Sequence, residues 1–191
     1  MATPPPVKPL SRRAGFWIRA AAAAIDACAA GILTALVGIG AVVAQEVPEL
    51  ADWAAGRLPD VVLCLLILAY TSMEAFLGAT PGKMVLGLVI ARPGGGRADR
   101  WTLALRWSAK QAPLLLTLAH LMTTDVLSYF LGGFMNSVVL VGCLQALDED
   151  KRTWHDEWAR TAVFRRSKVA AAVARHAISL PPPLPDAGDT P

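Results

Sequence analysis

Apolar residues fall in long runs along the chain, and polar residues collect in the segments that separate these runs. The longest run covers residues 16–44 and contains two charged side chains, Arg19 and Asp26. As an α-helix it would extend about 43 Å, which exceeds the ~30 Å hydrocarbon core of a bilayer. The pattern predicts a first membrane-spanning helix over residues 16–44. This helix is expected to stay uncleaved, since the run is far longer than a signal-peptide core.

Three further apolar runs follow, and they differ in length. Residues 61–78 and 126–147 are long enough to span a membrane, whereas the run at 113–124 is short. A helix that starts near Arg106 or Lys110 reaches the required length if these basic side chains extend towards the interface. We therefore predict four spans and a tight turn at residues 123–125. The spans are residues 16–44, 61–78, 106–124 and 126–147.

The distribution of Lys and Arg residues predicts how these spans are oriented. Four of them precede Ala20, one lies within residues 45–60, six lie within 83–110, and seven follow from residue 151. Because basic segments stay on the cytoplasmic side, both termini and the segment after the second span are expected to be cytoplasmic. An even number of crossings must then follow Lys110. The short run at 113–124 must therefore cross the membrane or form a re-entrant hairpin with its successor.

Shorter signals lie between the spans. Residues 85–91 are rich in β-branched side chains and are bounded by glycine and proline, which predicts a strand that ends in a turn. Residues 161–164 are a candidate partner strand, and residues 101–112 have the character of an interfacial helix. The predicted fold class is an all-α membrane protein with four transmembrane helices, a short interfacial helix and a small cytoplasmic two-stranded β element.

Proline-rich ends flank the predicted membrane domain. Residues 1–14 contain four prolines, and the last residues of the chain are also proline-rich, so both ends are expected to be disordered. The domain organisation is thus a tail over 1–14, a membrane domain over 15–166 and a cytoplasmic tail over 167–191.

Composition supports a membrane protein and gives no sign of a disulfide framework. Charged residues make up 17% of the chain and hydrophobic residues 54%, whereas soluble domains carry about 25% charge. Cys28, Cys64 and Cys143 all lie within apolar runs, where an odd number of thiols is typical of packing residues.

Charged residues within or beside the spans form the candidate functional site. Antiparallel threading places Asp26 and Glu74 at a similar depth in the cytoplasmic halves of the first two spans. Such carboxylates could load and release a cation or proton. Alternatively, the cluster is an ion-pair network that fixes helix register without transporting anything. The predicted members are Arg19, Asp26, Glu74, Lys83, Arg106 and Asp156, with Lys110 and His155 as secondary candidates.

Other chemistries are poorly matched by the sequence. Residues 78–84 look like a phosphate loop but have the wrong glycine spacing and no Ser or Thr after Lys83. A Pro-Gly turn that stops the helix and points Lys83 at headgroups is the simpler interpretation. The histidines lack metal-site spacing, and no nucleophile–base arrangement is visible. Asp156 and Glu157 beside His155 could form an acid/base group, but an exposed cap or surface contact is the favoured interpretation. We expect no enzymatic activity, cofactor, metal or nucleic-acid partner. The basic clusters at 97–110 and 160–168 are expected to meet anionic lipid headgroups.

Several of these residues resemble a known pattern when they are taken in order. They are Arg19 six residues before Ile25-Asp26, then Thr80-Pro81-Gly82-Lys83, residues 87–90, Leu105-Arg106-Trp107, residues 152–156 and residues 161–163. This set resembles the RDD family of bacterial membrane proteins over residues 14–165.

The family is named for one arginine and two aspartates, which Arg19, Asp26 and Asp156 match. Trp154 departs from its pattern, since a smaller apolar residue is more usual there. The resemblance implies a polytopic protein, with transport of unidentified ligands suggested for the family and cation/proton antiport for some members.

Together these observations predict a multi-pass protein of the bacterial inner membrane with both termini in the cytoplasm. The leading hypothesis is transport of ions, such as cations or protons, or of small solutes. The alternative is a non-catalytic scaffold or accessory subunit whose buried charges are structural. A stripe of small residues in the first span favours close packing with another helix, and so a homo-oligomer or a membrane-protein partner. The stripe consists of Ala23, Ala27, Gly31 and Ala35.

Overall fold

The computed structural model describes residues 13–94, 96–147 and 153–178 and is mostly helical. The helices are α1 (Phe16–Gln45), α2 (Pro48–Ala55), α3 (Leu58–Leu77), α4 (Pro81–Val85), α5 (Arg100–Thr123), α6 (Val126–Leu144), α7 (Trp154–Trp158) and α8 (Arg166–Ile178). The strands are β1 (Leu88–Ala91) and β2 (Ala162–Arg165), and a short 3₁₀ turn (Gln145–Leu147) extends α6.

Within the described residues, three helices are long and apolar enough to cross a membrane. They are α1, α3 and α6 with its 3₁₀ extension. The fourth long helix, α5, has 24 residues but carries more polar side chains than these three helices and is less apolar than a typical membrane span. The structure thus confirms a helical protein with several candidate spans.

The long helices form two antiparallel pairs. In the first pair, Tyr70 near the end of α3 donates a hydrogen bond to Asp26 in the first half of α1. In the second pair, α5 and α6 are joined by Thr124 and Asp125. Thr124 adopts φ 59°, and the Asp125 side chain caps α6 by accepting from the backbone of Leu127 and Ser128. This is the tight turn predicted at residues 123–125.

A small antiparallel sheet lies at one end of the helices. Leu88 pairs with Arg165 and Ala91 with Ala162, which confirms the predicted two-stranded element. The inward-facing side chains of the strands pack against helix residues in a small core. Its buried members are Ala14, Ala22, Leu88, Ile90, Leu103 and Val163.

One end of each long helix meets this sheet region. The Ala14 N–H before α1 donates to Val163 O, and the Ile90 N–H donates to the carbonyl of Gly78, which follows α3. Ala91 forms a bridge with Arg97, just before α5. At the end of α6, Gly142 packs against Trp154 of α7. The four long helices therefore alternate in direction.

Several local predictions differ from the observed elements. The strand predicted over 85–91 starts at Leu88 because Pro81 initiates α4, a helical turn that ends at Val85. The interfacial helix predicted over 101–112 is not separate but forms the first half of α5, which continues through Pro113. The segment between the first two predicted spans, residues 45–60, contains α2.

The predicted tails fall mostly outside the described residues. Residues 1–12 and 179–191, for which disorder was predicted, are not described. Ala14 was placed in the N-terminal tail but is buried and bonded to β2, because its backbone extends the sheet region. Residues 166–178 of the predicted cytoplasmic tail form α8.

Candidate functional site

Arg106 of α5 is the centre of a buried ion-pair network. Its side chain is 2% exposed, and the guanidinium joins two carboxylates from different elements. The Nε and Nη2 groups donate to Asp156 Oδ1 at 2.9 and 2.8 Å, and the Nη1 group donates to Glu74 Oε1. One arginine thus connects α3, α5 and α7.

Glu74 collects three cationic side chains on the last turns of α3. Besides Arg106, it accepts from Lys83 Nζ at 2.5 Å and from Lys110 Nζ at 3.3 Å. Lys83 comes from α4, and Lys110 lies one helical turn after Arg106 on α5. The Glu74 side chain is completely buried, so these contacts replace the water that an ionised carboxylate requires.

Asp156 connects the network to the first helix. Its Oδ2 accepts from Arg19 Nη1 of α1 at 2.9 Å. Asp156 also occupies the third position of α7 and forms a reciprocal capping box with Thr153, which fixes the start of that helix. The carboxylate was expected in an exposed cap, but it is fully buried because two arginines enclose it.

Asp26 lies beside this network and is held differently. Tyr70 and Thr80 donate their hydroxyl groups to its two oxygens at 2.8 and 2.6 Å, and the Gly82 N–H donates at 2.8 Å. A Cβ at Gly82 would lie 2.3 Å from the Ala22 carbonyl oxygen, so only glycine allows α4 to approach α1 this closely. Within the described residues, Asp26 is therefore stabilised by neutral donors.

The charges of the network do not balance. Among the described residues, four cationic side chains contact two carboxylates, an excess of two positive charges before Asp26 is counted. Burial lowers the pKa of Lys83 to about 8, although Asp156 opposes that shift. Burial alone would raise the pKa of Asp156, but Arg106 and Arg19 hold it well below its ordinary value. The carboxylate therefore stays ionised at neutral pH.

His155 is buried beside the network and is neutral. Burial, reinforced by the charge of Arg106, lowers its pKa to about 2. One ring nitrogen, Nε2, lies 2.9 Å from Thr153 Oγ1, while Nδ1 is buried without a partner among the described residues. A surface contact was expected here. The ring is instead enclosed because Trp154 packs on Gly142 and draws α7 against α6.

An open groove of about 590 Å³ lies between α5 and α6 and reaches the network at Lys110. Its walls combine aromatic and polar side chains of these two helices. Its lining residues include Lys110, Thr117, Phe130, Gly133, Phe134 and Asn136.

The structure brings the predicted site residues together, but not all of them form ion pairs with one another. Arg19, Glu74, Lys83, Arg106, Lys110 and Asp156 form one continuous chain of ion pairs. Lys83 does not point at headgroups, as the Pro-Gly turn suggested, because α4 turns it inwards onto Glu74. His155 is linked to this chain through Thr153, which contacts both His155 and Asp156. Asp26 instead bonds to Thr80 and Gly82, which are close in sequence to Lys83. Within the described ranges, no group of three His, Cys, Asp or Glu side chains could hold a metal ion.

Sequence reasoning missed the neutral partners of the charged groups. Tyr70, Thr80, Gly82 and Thr153 all complete the site through hydrogen bonds. Thr80 and Gly82 lie in the Thr-Pro-Gly-Lys segment that carried part of the family resemblance, which was the available signal. Thr153 lies within residues 152–156, another part of that resemblance, whereas Tyr70 had no distinguishing pattern.

Long apolar helices that enclose a buried Arg/Asp/Glu network define a helical membrane protein. The chain belongs to the RDD family, since the model of that family matches residues 13–160, well over half of the chain. Searches of curated proteins and of solved structures found no match to this chain.

Proposed function

We propose that this RDD-family protein crosses a bacterial inner membrane four times, with both termini in the cytoplasm, and transports ions or small solutes. Transport driven by a cation or proton is the form that the site favours. The observation that supports this proposal is the position of Asp26 in an apolar helix. Within the described residues, its carboxylate accepts hydrogen bonds from neutral donors. A four-span topology would place Asp26 within the membrane.

The hairpin of α5 and α6 supports the fourth span. At 1.5 Å per residue α5 extends about 36 Å, enough to cross the hydrocarbon core. Two charged side chains, Arg106 and Lys110, make α5 less apolar than the other long helices. Both of them contact Glu74 and so need not face lipid. The sheet end of the bundle also carries most of the Lys and Arg residues, which favours a cytoplasmic location for that end.

The topology is tested by cysteine labelling. A variant lacking Cys28, Cys64 and Cys143 would carry a single cysteine in place of Asp125, at the far turn of the hairpin. An impermeant maleimide added outside intact cells should label this position. A single cysteine in place of Lys168, exposed on α8, is the matched control and should be labelled only after lysis. External protection of position 125 would contradict four spans.

Asp26 has the chemistry of a coupling site. Removing a proton or cation from a carboxylate inside an apolar layer is costly unless donors stabilise the resulting charge. Tyr70, Thr80 and Gly82 supply three such donors. Glu74 and Asp156 are less suited to exchange, since cationic side chains already occupy both carboxylates. Asp26 is therefore the carboxylate that would bind and release the coupling ion.

Flux into phosphatidylcholine liposomes tests the proposal. Purified protein should carry protons or sodium faster than empty liposomes, and Asp26→Asn should reduce that flux about tenfold or more while gel filtration shows a folded protein. Asp52→Asn, on the exposed surface of α2, is the matched control and should transport normally. Absence of flux in the wild type, or equal flux in both variants, would contradict ion-coupled transport at Asp26.

A non-catalytic scaffold or accessory subunit is the second candidate function. The specific observation in its favour is that Glu74 and Asp156 are fully buried and each contacts at least two cations, as a purely structural network requires. A protein that copurifies with a stable membrane partner and shows no flux would fit this function.

We also propose that the chain associates through α1 and contacts anionic lipid headgroups. Ala23, Ala27, Gly31 and Ala35 form an exposed stripe of small side chains, which would allow close approach of a second helix. Gly31→Leu should weaken self-association in light scattering of the detergent-solubilised protein. Gly133→Leu, on α6, is the control. Equal association of both variants would locate the contact elsewhere.

A further inference from the structure

The groove between α5 and α6 has a positively charged inner end. Lys110 lies on its wall, and within the described residues its hydrogen bond is to Glu74 Oε2 at 3.3 Å, the longest ion pair of the network. The Lys110 side chain is 27% exposed, whereas Lys83 and Arg106 are nearly buried. An ammonium group has three donors, so Lys110 can contact a ligand without leaving Glu74.

The net charge of the network next to the groove indicates whether the ligand is an anion or a cation. Among the residues that the structure describes, four cations contact two carboxylates in the network, and Asp26 accounts for one further negative charge. The remaining positive charge lies in an apolar environment, where Coulomb interactions are stronger than in water. An anion in the groove would balance this charge, whereas a second cation would increase the repulsion.

The other walls of the groove indicate the rest of the ligand. Phe130 and Phe134 provide apolar surface, and Thr117 and Asn136 provide hydrogen-bonding groups. A volume of about 590 Å³ lies within the range of small-molecule sites. Lys110 also lies ten residues into α5, about 15 Å along the helix from its start.

We propose that this groove binds a small organic anion, in which a carboxylate or phosphate pairs with Lys110 and an apolar or aromatic body lies against Phe130 and Phe134. The proposal rests on the proposed transport function and names the class of its solute. Asp26 would then bind the coupling ion while Lys110 binds the solute.

Binding to the full-length protein in phosphatidylcholine nanodiscs tests the proposal separately from flux. The probes are 2-naphthoate, the neutral isostere 2-naphthamide and inorganic phosphate, each titrated by calorimetry with empty nanodiscs as the blank. We expect naphthoate to bind about tenfold or more tightly than naphthamide, the effect of one charge-assisted hydrogen bond. Phosphate should bind more weakly than naphthoate because it lacks the apolar body.

Two variants examine the groove and its charge independently. Lys110→Gln should remove the preference for naphthoate over naphthamide, with Lys168→Gln as the matched control. Gly133→Leu should fill the groove and abolish binding of both probes, because Gly133 lines the groove, a Cβ there meets open space, and Gly133 is not one of the residues that form the ion pairs. Gly38→Leu is its control on α1, where a Cβ also meets open space. If Lys110→Gln fails to fold, Gly133→Leu carries the test.

The possible outcomes separate three conclusions. Equal binding of naphthoate and naphthamide, or unchanged binding in Gly133→Leu, would overturn the proposal. Lys110-dependent thermal stabilisation by phosphatidylglycerol, without binding of naphthoate, would also overturn it and assign the groove to lipid. Binding as expected but without flux in liposomes would support the groove and contradict the proposed transport, so the two failures are distinguishable.

Discussion

Arg106 donates two hydrogen bonds to a single oxygen of Asp156, from Nε at 2.9 Å and from Nη2 at 2.8 Å. The arginine lies in the first half of α5, and the aspartate lies in α7 beyond the last span. Neither side chain has appreciable contact with solvent. Their pairing joins the helical bundle to the small sheet region, and its loss should be felt throughout the fold.

Replacement of Arg106 is expected to destabilise the protein strongly. Arg106→Gln leaves Asp156 and Glu74 without their principal partner, and breaking a buried pair in this way costs about 3–5 kcal/mol. Unfolding in mixed detergent micelles measures the change. Arg92→Gln is the matched control, since Arg92 pairs with Asp99 at an exposed position and its loss should have little effect. Equal losses in both variants would contradict a central role for Arg106.

Gly82 is expected to tolerate no side chain. Gly82→Ala would place a methyl group 2.3 Å from the Ala22 carbonyl oxygen and 2.8 Å from Asp26 Oδ1, so α4 must move away from α1. Overpacking of this kind costs about 1–3 kcal/mol. The thermal unfolding midpoint should fall, and flux should fall with it as Asp26 loses the Gly82 hydrogen bond. Gly31→Ala, at an open position on α1, should leave the midpoint unchanged.

Stability should decline as the pH falls below about 6.5, the ordinary pKa of histidine. The folded protein keeps His155 neutral because its pKa is lowered to about 2, whereas the unfolded chain takes up a proton there. Between these values the unfolded state binds one more proton, so stability falls by about 1.4 kcal/mol per pH unit. Asp156 adds a second loss at lower pH, below about 4, because its folded pKa is also depressed.

The pH prediction is checked by unfolding measurements between pH 4 and 8. His155→Gln should remove the part of the slope that lies above about pH 4, because glutamine does not titrate. His120→Gln, at the far turn of the hairpin, should keep the wild-type slope since His155 is still present. An unchanged slope in His155→Gln would show that His155 does not account for the acid sensitivity.

The contact of Trp154 with Gly142 gives a prediction about the junction between α6 and α7. A Cβ at Gly142 would overlap the indole, with its nearest atom at 1.8 Å, so Gly142→Ala should displace α7 and lower the thermal midpoint. In a Trp154→Ala background the same substitution should cost much less, because the obstacle is gone. Gly133→Ala faces open space and is the control. Additive effects of Gly142→Ala and Trp154→Ala would exclude the contact.

The long elements could be predicted from the sequence because membrane helices have a strong one-dimensional signal. The uninterrupted apolar runs of α1, α3 and α6 define their positions to within a few residues. The antiparallel sheet was also predictable, since both strands are short, apolar and bounded by turn residues. In α5 the charged residues hid the continuity of the helix, because their compensation by Glu74 and Asp156 is a tertiary property.

The partners of the charged residues were harder to predict. Depth along the spans brought Asp26 and Glu74 to the same level, but it could not show that α4 would separate them. That separation depends on a single close approach at Gly82, which no periodicity reveals. Neutral donors such as Tyr70 are also invisible in a pattern of charges, although they determine how Asp26 is stabilised.

The ion pair between Arg19 and Asp156 joins positions 137 residues apart, which has a consequence for biogenesis. During synthesis Arg19 enters the translocation machinery long before the ribosome has made its acidic partner. Arg19 in the first helix therefore lacks this acidic partner until almost the whole family domain has been translated. Chains that terminate before residue 156 should be recognised as immature and degraded by membrane proteases, however well their apolar segments insert.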